Sequence, residues 1–549
     1  MQATGYYTQK GINHNIYQKP DISINMNLII YDTTLRDGRQ DPRLLIDNKT
    51  RLEAVSLLDK FGIDYIELCW PITEEDIACF KEAEKIVKHS RLVAFCSTRK
   101  ISNKAEDDYL LNTLIKTGTK YAALFGKTWK EHIIKQLKAT PEQNLEAIKD
   151  SIAYLKKNNI KVFYDAEHFF DGFKDDKEYA LLCLTSAIES GAEAIILCDT
   201  NGGCLPDEIE KITKEAKEYL KKYPNIDLGI HCHNDSGCAV ANTNAAINNG
   251  IILIQGTIGG IGERTGNADL CSVIPNAVFK QKHKTNNKIN LKEIKKFNKE
   301  MHELLGININ KVQPYVGESA FAHNGGVHVD AVIKGASYNH LSPESVGNIS
   351  RVCLTNNSGR AAVIDILNSF NYPNLNKEDK RVKAMLDEIQ NMANKGYNIS
   401  ILEAEHYLLA KKFFGDYKEF FSIEDWMITS MRGKDSFCKV WGAINNQKRD
   451  VLENIKGGPV DAAYKAIKKL INNPLLEKVH LVHYGVEIPK TGSQEEESSV
   501  NVYITFRDSA KDELNQEWTT VGNNPNILEA SIEAISKGFR YYLLKAAEN

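Results

Sequence analysis

The 549-residue sequence lacks several features that would assign it to a specialised class of protein. No apolar run approaches the ~20 residues that a helix needs to cross a bilayer, and the first 25 residues are polar, without the apolar core of a secretory signal. The formal net charge is only −3, so no excess of one sign points to nucleic acid or to a membrane surface. We therefore expect a cytoplasmic protein with neither nucleic-acid nor membrane partners.

The eleven cysteines include no Cys-x-x-Cys pair, which is the spacing typical of zinc ribbons and thiol redox motifs. Cys96, Cys198 and Cys232 lie inside apolar runs that read as strands. Reduced thiols in the core of a cytosolic enzyme fit this pattern better than a disulfide framework does.

Eight short apolar runs alternate with amphipathic stretches between Asn27 and about His283. The runs occupy residues 28–32, 63–68, 91–96, 120–125, 161–166, 193–199, 228–233 and 252–257. Each is too apolar to leave one face in water, as expected of parallel strands covered by helices. The stretch 48–62 has apolar residues at three- and four-residue spacing and ends at Gly62, which predicts a helix. Eight such units predict an α/β fold with a (β/α)8 TIM barrel rather than an open sheet.

The pattern changes after the predicted barrel. Helical segments are expected around 291–305, 358–370 and 378–414, with a Gly- and His-rich stretch at 320–331 between the first two. A compact α+β unit is then predicted from strands at 437–444, 479–488, 500–506 and 517–522 and helices at 459–471 and 527–546. The predicted division is an N-terminal extension at 1–25, a catalytic barrel at 26–285, helical linker subdomains at 286–425 and a C-terminal α+β domain at 426–549.

A candidate metal site lies at the ends of the predicted strands, where TIM barrels place their catalytic residues. His231 and His233 are two apart on the seventh strand, so both imidazoles face the same side. An HxH pair alone is ambiguous, but Asp37 and Asn267 follow other strands and strengthen a metal interpretation. Together they form a mixed nitrogen and oxygen set that suits Mg²⁺ or Mn²⁺ and could accept Zn²⁺. Two positions of an octahedron would stay open for the carboxylate and ketone oxygens of a 2-oxo acid.

Three further side chains at the same rim each have two interpretations. Arg36 either forms a salt bridge or places a guanidinium at a ketone oxygen that becomes an alkoxide. Glu167 either holds Arg36 or a neighbouring group in place or performs acid/base chemistry. Thr200 either bonds a substrate carboxylate or caps the following helix.

Several segments carry a resemblance to a known family. DTTLRDG (32–38), HCHND (231–235) and GERTGNADL (262–270) together resemble the metal-dependent acyltransferases of the barrel superfamily that also contains 3-hydroxy-3-methylglutaryl-CoA lyase. Members of this family include the 2-isopropylmalate, homocitrate and citramalate synthases. FGKTWKEH (125–132) and DAEHFFDGF (165–173) are most similar to the citramalate branch. The resemblance runs from about Asn27 to the end and includes the family's C-terminal regulatory domain.

The resemblance implies condensation of acetyl-CoA with a small 2-oxo acid, pyruvate above all, followed by hydrolysis of the thioester, in isoleucine biosynthesis. It implies a divalent metal held by Asp37, His231, His233 and Asn267, substrate contacts from Arg36, Gln40 and Thr200, and catalytic roles for Arg36, Glu167, His328 and Tyr338. Either Glu167 or His328 would be the base. It further implies a homodimer, in which His328 and Tyr338 reach over a barrel, often that of the other subunit, and an amino-acid effector.

Three departures from the family pattern leave alternatives open. Asp41-Pro42-Arg43 and Leu68-Cys69 lie near the barrel mouth, so 2-oxoisovalerate or 2-oxoglutarate remain alternative acceptors, and Arg43 would suit a second carboxylate. The acidic segment 491–499 replaces a Gly/Ala-rich segment and argues against isoleucine as the effector. The glycines of GTIGGIG (256–262) either cradle a phosphate of CoA or let the loop pass close to the metal.

Two other classes of protein compete with this interpretation. A lyase or aldolase shares the barrel but lacks the C-terminal domains, and the long region after the barrel weighs against it. A non-catalytic amino-acid sensor would not need a complete ligand set.

Overall fold

The computed structural model describes residues 25–323, 338–355, 357–415, 417–489, 499–510 and 517–548. The chain divides into two compact units, one of residues up to Gly317 with Ser345–Gly347, the other of Glu318–Glu344 with the residues from Asn348 onward. Residues 1–24 of the predicted extension and His328 lie outside the described residues.

The first unit contains a closed barrel of eight parallel strands. They are β1 (Asn27–Asp32), β2 (Tyr65–Cys69), β3 (Arg91–Ser97), β4 (Tyr121–Lys127), β5 (Lys161–Glu167), β6 (Ala194–Asp199), β7 (Asp227–Cys232) and β8 (Leu253–Gly256). Each strand pairs with its neighbour in sequence, and β1 closes the barrel by pairing with both β2 and β8. A two-residue strand, β9 (Lys284–Thr285), extends the start of β1. The predicted TIM barrel is confirmed.

Helices cover the outside of the barrel. They are α1 (Asn48–Phe61), α2 (Glu74–Ile86), α3 (Tyr109–Lys116), α4 (Pro141–Lys157), α5 (Phe169–Asp175), α6 (Lys177–Glu189), α7 (Pro206–Leu220), α8 (Ala239–Asn248), α9 (Leu270–Pro275) and α10 (Ile294–Leu305). The Asp47 side chain caps the start of α1 by accepting from Thr50 N–H. As predicted, α1 ends at Gly62, which adopts a left-handed conformation with φ of 102°.

Side chains fill the barrel interior below the strand ends. Tyr31, Phe163 and Ile196 belong to this buried cluster, and the Tyr65 and Phe163 rings meet edge to face with centroids 5.0 Å apart. Such edge-to-face packing is favourable beyond the burial of area alone. The filled interior leaves the C-terminal rim as the place for a ligand.

The second unit combines helices with two antiparallel sheets. Two-residue strands β10 (Ala322–His323) and β11 (Arg351–Val352) pair with each other. Next come α11 (Arg360–Ser369), α12 (Lys380–Asn394), α13 (Glu403–Phe414), β12 (Phe421–Thr429), β13 (Ser436–Ile444), β14 (Gln447–Ile455), α14 (Pro459–Ile471), β15 (Val479–Glu487), β16 (Val500–Asp508), β17 (Glu517–Asn524) and α15 (Ile527–Ala546). The sheets have the orders β12-β13-β14 and β15-β16-β17, and α14 and α15 share a buried core with them.

The sequence patterns miss the short strands β10 and β11, the longer strands β12 and β14, and one helix break. Strands β12 and β14 are the outer strands of their sheet, and β14 is exposed along most of its length, so it carries too little apolar alternation to predict a strand. The segment predicted as helical over 378–414 is two helices, because Gly396 adopts φ of 91° between them.

Two further findings concern properties expected from composition. All eleven cysteines are free thiols and ten of them are buried, as predicted for reduced core residues. Among the described residues, no helix is long and apolar enough to cross a membrane.

Candidate active site

The C-terminal ends of the barrel strands surround a cavity of about 420 Å³. The polar groups lining it include Arg36, Asp37, Glu167, Thr200, His231 and His233. These residues follow or end strands β1, β5, β6 and β7, so the parallel barrel brings residues almost 200 positions apart to one rim.

Asp37, His231 and His233 form a buried cluster in this cavity. Asp37 Oδ2 lies 3.3 Å from His231 Nε2 and 3.8 Å from His233 Nε2. The three residues each offer one ligand atom, and these atoms lie within 4.8 Å of one another. One carboxylate and two imidazoles at this spacing can bind a single divalent cation.

Several buried polar atoms of the predicted ligand set make no hydrogen bond within the described part of the chain. They are Asp37 Oδ1, His233 Nδ1 and Asn267 Oδ1. Since a buried polar atom without a partner costs about 1–3 kcal/mol, such a concentration indicates a ligand. The predicted ligand set fits a divalent cation. Asp37 Oδ1 and Asn267 Oδ1 cannot donate a hydrogen bond, and their lone pairs can bind a cation instead.

Asn267 reaches the cluster from the loop after β8. It forms a β-bridge with His233, and its Nδ2 donates to Ile261 O at 3.2 Å. Because the amide nitrogen is used in this way, Oδ1 is left as the oxygen that could bind a cation. The register that sets Asn267 beside His233 is reinforced by Asn234 N–H, which donates to Gly266 O at 2.9 Å.

Glycines in this loop allow its backbone to pass close to Asn267. A Cβ at Gly262 would lie 2.2 Å from Asn267 Nδ2, and one at Gly266, where φ is 91°, would lie 1.9 Å from Gly260 O. Both distances are too short for any side chain. Of the two interpretations of GTIGGIG, the close contacts at these glycines favour close passage beside Asn267 over a phosphate cradle.

We expect Gly262→Ala to weaken binding of Mn²⁺ by about tenfold or more, because the new methyl group displaces the Asn267 amide and ligand positions tolerate errors of only about half an ångström. Mn²⁺ titration followed by electron paramagnetic resonance measures this. Gly306→Ala is the control, since Gly306 also has a positive φ, of 68°, but nothing within 4 Å of its Cβ. Equal Mn²⁺ affinity in the two variants would contradict the prediction.

Arg36 is held in one orientation by three neighbours. Its Nε donates to Glu67 Oε1, its Nη1 donates to Asp37 Oδ2 at 3.0 Å, and its guanidinium lies 3.8 Å from the centre of the Phe95 ring. Glu67 is fully buried and also accepts from the Tyr31 hydroxyl. Glu67, not Glu167, is therefore the carboxylate that holds Arg36.

The charges of the cluster are set by burial and by close neighbours. Burial acts to raise the pKa of Asp37, but Arg36 and His231 outweigh it and hold that pKa well below its usual range. Burial and the neighbouring His231 lower the pKa of His233 to about 4. An ionised carboxylate and a neutral imidazole are the forms that bind metal.

Glu167 lies at the end of β5 and lines the cavity. Its Oε2 lies 2.6 Å from Lys127 Nζ at the end of β4. Lys127 is buried, and this ion pair holds the Glu167 carboxyl at the edge of the cavity. A carboxyl group in this position is placed to take part in proton transfer.

Thr200 and Gln40 also line the cavity. The Thr200 hydroxyl accepts a hydrogen bond from His168 N–H at 2.8 Å, which leaves its own proton for a ligand. Thr200 does not cap a helix, since the next helix, α7, has Leu205 at its N-cap. Gln40 is exposed in a single helical turn that follows Asp37.

The remaining predicted residues are Arg43, Tyr338 and His328. Arg43 is mostly exposed and pairs with Asp41, with its Nε donating to Oδ1 at 2.9 Å, and it does not line the cavity. Tyr338 belongs to the second unit, where its ring lies edge-on to His323 with centroids 6.3 Å apart. His328 is outside the described residues.

Sequence reasoning missed a set of residues behind and beside the site. Glu67, Asp165 and Gln255 are buried polar residues in otherwise apolar strands. That contrast is the signal that could have found them, because a buried polar group needs a partner. Burial and the nearby Glu67 raise the pKa of Asp165 above its usual range.

One wall of the cavity is aromatic. The Trp70 ring meets Phe95 and Phe125 edge-on, with centroids 5.6 and 5.5 Å apart, and Phe95 stacks on Phe125 at 5.1 Å. Cys69 lines the same cavity. Of the departure at Leu68-Cys69, Cys69 thus faces the cavity beside Trp70, whereas Leu68 is buried and does not line it.

Three family matches cover most of the chain. The HMGL-like family matches residues 27–300, the post-HMGL domain of homocitrate synthase matches 315–397, and the LeuA allosteric (dimerisation) domain matches 400–543.

Curated relatives match over nearly the whole length. The chain is 39% identical to the (R)-citramalate synthase of Sulfolobus acidocaldarius over 523 residues, which cover 94% of this chain and 96% of the relative. It is 39% identical to the (R)-citramalate synthase of Geobacter sulfurreducens, covering 95% and 99%. A 2-isopropylmalate synthase from Heliobacterium modesticaldum is 31% identical, covering 81% and 86%.

Proposed function

Since this chain belongs to the family of the (R)-citramalate synthases, we propose that it condenses acetyl-CoA with pyruvate and hydrolyses the thioester to give (R)-citramalate and CoA. It is an acyltransferase of the HMGL-like family, in keeping with a role in isoleucine biosynthesis. The observation that carries the proposal is the buried Asp37, His231 and His233 cluster beside Arg36, in a chain whose relatives of this name match along its whole length.

The HMGL-like family is metal-dependent, and we propose that Asp37, His231, His233 and Asn267 hold the cation. Mg²⁺ or Mn²⁺ fits this mixed set of oxygen and nitrogen donors, and Zn²⁺ is a further candidate. When bound, the cation polarises the ketone of the 2-oxo acid and offsets the negative charge that develops on its oxygen.

Arg36 contributes a fixed guanidinium to the same oxygen. Glu67 and Asp37 use Nε and Nη1, and Phe95 supports the planar face, so the group pays no reorganisation cost when the ketone oxygen becomes an alkoxide. Thr200 can donate its proton to the substrate carboxylate, because its oxygen already accepts from His168 N–H. Gln40 at the rim is proposed as a further substrate contact.

Deprotonation of the acetyl-CoA methyl group needs a base at the cavity. We propose Glu167 for this role, since its carboxyl lines the cavity and is held there by Lys127. His328 is the alternative base, and Tyr338 would assist it, by resemblance to the family. The resulting enolate attacks C2 of pyruvate, and water then cleaves the thioester and releases CoA.

The cavity supports a small acceptor that carries one carboxylate. The wall of Trp70, Phe95 and Phe125 restricts the space for a branched side chain. Arg43, the residue that would suit a second carboxylate, is paired with Asp41 instead. Pyruvate is therefore favoured over 2-oxoisovalerate and 2-oxoglutarate.

The test is CoA release, measured with a thiol reagent. Purified protein with Mg²⁺ or Mn²⁺ and acetyl-CoA should release CoA fastest with pyruvate, more slowly with 2-oxobutyrate and least with 2-oxoisovalerate and 2-oxoglutarate. EDTA should remove the signal, and added Mn²⁺ should restore it. A preference for another acceptor would refute the assignment of pyruvate, and no release with any acceptor would refute the proposed function.

We further propose that the protein is a homodimer with an amino-acid effector, since residues 400–543 match the LeuA allosteric (dimerisation) domain. The sheet β12-β13-β14 has a face suited to such an association. Met427, Lys439 and Leu452 lie side by side across it, and Met427 and Leu452 are exposed. Helix α14 packs on the opposite face.

Leu452→Glu should convert the dimer to a monomer, because it replaces an exposed apolar side chain of the proposed interface with a charge that would be buried on association. Light scattering after size exclusion measures the mass. Leu182→Glu is the matched control, since Leu182 is a similarly exposed leucine on α6 of the barrel. A Leu452→Glu protein with the wild-type mass would show that this face does not form the dimer.

A further inference from the structure

Three polar side chains from different strands form a chain of hydrogen bonds behind the cluster. His231 Nδ1 lies 2.9 Å from Gln255 Oε1, and Gln255 Nε2 donates to Asp165 Oδ1 at 3.3 Å. The residues lie on β7, β8 and β5, and all three are buried. Water does not reach the Gln255 amide, so the two neighbours determine how it is oriented.

Asp165 specifies which end of the amide faces which neighbour. The two ends of a glutamine amide are similar in shape and differ only in donating or accepting. An ionised carboxylate only accepts, so the NH₂ group of Gln255 must face Asp165. The opposite orientation would set the Gln255 oxygen against a carboxylate oxygen 3.3 Å away.

The oriented amide in turn specifies the tautomer of His231. Gln255 Oε1 can only accept, so His231 Nδ1 must carry the proton of the hydrogen bond. In a neutral imidazole the lone pair is then on Nε2. Nε2 is the atom that lies 3.3 Å from Asp37 Oδ2 and faces the other donors of the cluster.

His233 has no such support. Its Nδ1 makes no hydrogen bond within the described ranges of the chain, and the tautomer of its ring is not set by a partner there. The two histidines of the pair thus differ, and His231 is the one whose Nδ1 has a hydrogen-bond partner that orients the ring.

We propose that Asp165 and Gln255 are positioning residues that hold His231 with its proton on Nδ1 and its lone pair on Nε2, and thereby raise the affinity of the cluster for a divalent cation. The inference rests on the proposed metal site. Partners of this kind contribute about 10- to 100-fold to metal affinity.

The first test compares Mn²⁺ dissociation constants, measured by electron paramagnetic resonance at alkaline pH, where Asp165 is ionised. Gln255→Leu removes the acceptor for His231 at nearly constant volume and should weaken Mn²⁺ binding by about 10- to 100-fold. Gln313→Leu is the matched control, because Gln313 is also buried and its amide also donates to an aspartate, Asp269, at 3.0 Å. Its Mn²⁺ affinity should remain that of the wild type.

The second test changes the orientation of the amide without removing it. Asp165→Asn supplies both a donor and an acceptor, so the Gln255 amide is no longer forced to face one way, and Mn²⁺ affinity should fall by about tenfold. Adding Gln255→Glu to Asp165→Asn restores a group that can only accept the hydrogen bond from His231 Nδ1. The asparagine introduced in place of Asp165 can donate a hydrogen bond to this new carboxylate. The double variant should therefore bind Mn²⁺ more tightly than either single variant.

These measurements distinguish the proposed role of Asp165 and Gln255 from the proposed metal site itself. His231→Ala that retains wild-type Mn²⁺ affinity would overturn the proposed metal site. Loss of Mn²⁺ binding in His231→Ala together with wild-type Mn²⁺ affinity in Gln255→Leu would overturn only the proposed role of Asp165 and Gln255. A double variant that binds Mn²⁺ no more tightly than the single variants would overturn it as well. Because Asp165 also lines the cavity, turnover would mix substrate effects with metal effects, whereas Mn²⁺ affinity does not.

Discussion

Replacing His231 with alanine should abolish turnover and reduce Mn²⁺ binding to the level of background. His231 supplies one of two imidazoles in a cluster of only three strongly binding side chains, and its Nε2 lies 3.3 Å from Asp37 Oδ2. Loss of that nitrogen would remove one of the proposed metal ligands and leave His233 as the histidine beside Asp37 in the cluster. Metal-loaded and EDTA-treated variant should then release CoA at the same low rate.

A stability measurement distinguishes metal loss from unfolding. A ligand that binds only the folded protein raises its stability by RT ln(1 + [L]/Kd). Mn²⁺ should therefore raise the melting temperature of the wild type but not that of His231→Ala. His406→Ala is the control, since His406 is equally buried but belongs to α13 of the second unit. Turnover by His231→Ala in metal-replete buffer would refute the ligand assignment.

Arg36→Lys should lower kcat by about 10²- to 10³-fold, the usual effect of losing one donor to a developing oxyanion. Lysine keeps the charge but not the planar fork, so it cannot bond Glu67 and Asp37 at once and still present a donor to the ketone oxygen. It also loses the flat contact with Phe95.

The role of Arg36 can be identified from Arg36→Lys by comparing the loss of kcat with the loss of metal affinity. Because the positive charge beside Asp37 is retained, the dissociation constant for Mn²⁺ should change less than kcat does. Arg99→Lys is the matched control, since Arg99 is also buried and pairs with Asp150 through Nε and Nη2 outside the cavity. Parallel losses of metal affinity and kcat in Arg36→Lys would indicate that Arg36 supports the cluster rather than the reaction.

The barrel was predictable because its eight strands are continuous apolar runs, a pattern that parallel strands under helices produce. Part of the site followed from local rules as well. The two-residue repeat of a strand aligns His231 with His233, and strand ends place Asp37 at the same rim. These inferences need no knowledge of which residues lie opposite one another.

Contacts that depend on the register between distant segments could not be predicted from the sequence. The bridge that sets Asn267 beside His233 depends on the path of a glycine-rich loop, so the sequence offered Asn267 as a candidate without showing that it lies next to His233. Glu67 takes the role of holding Arg36 that the sequence offered to Glu167. In the second unit, β14 went unpredicted because an outer strand with both faces partly in water has no apolar face to identify it.

The buried cysteines have a consequence for the chemistry of acyl transfer. Cys69 and Cys198 both line the cavity, where an acyl thioester would bind. Burial raises the pKa of each thiol far above its ordinary value, so neither is present as the thiolate that exchanges with thioesters. The two thiols in the wall of the cavity therefore stay protonated, which disfavours transfer of an acyl group from a bound thioester to the protein and so favours its use in carbon–carbon bond formation.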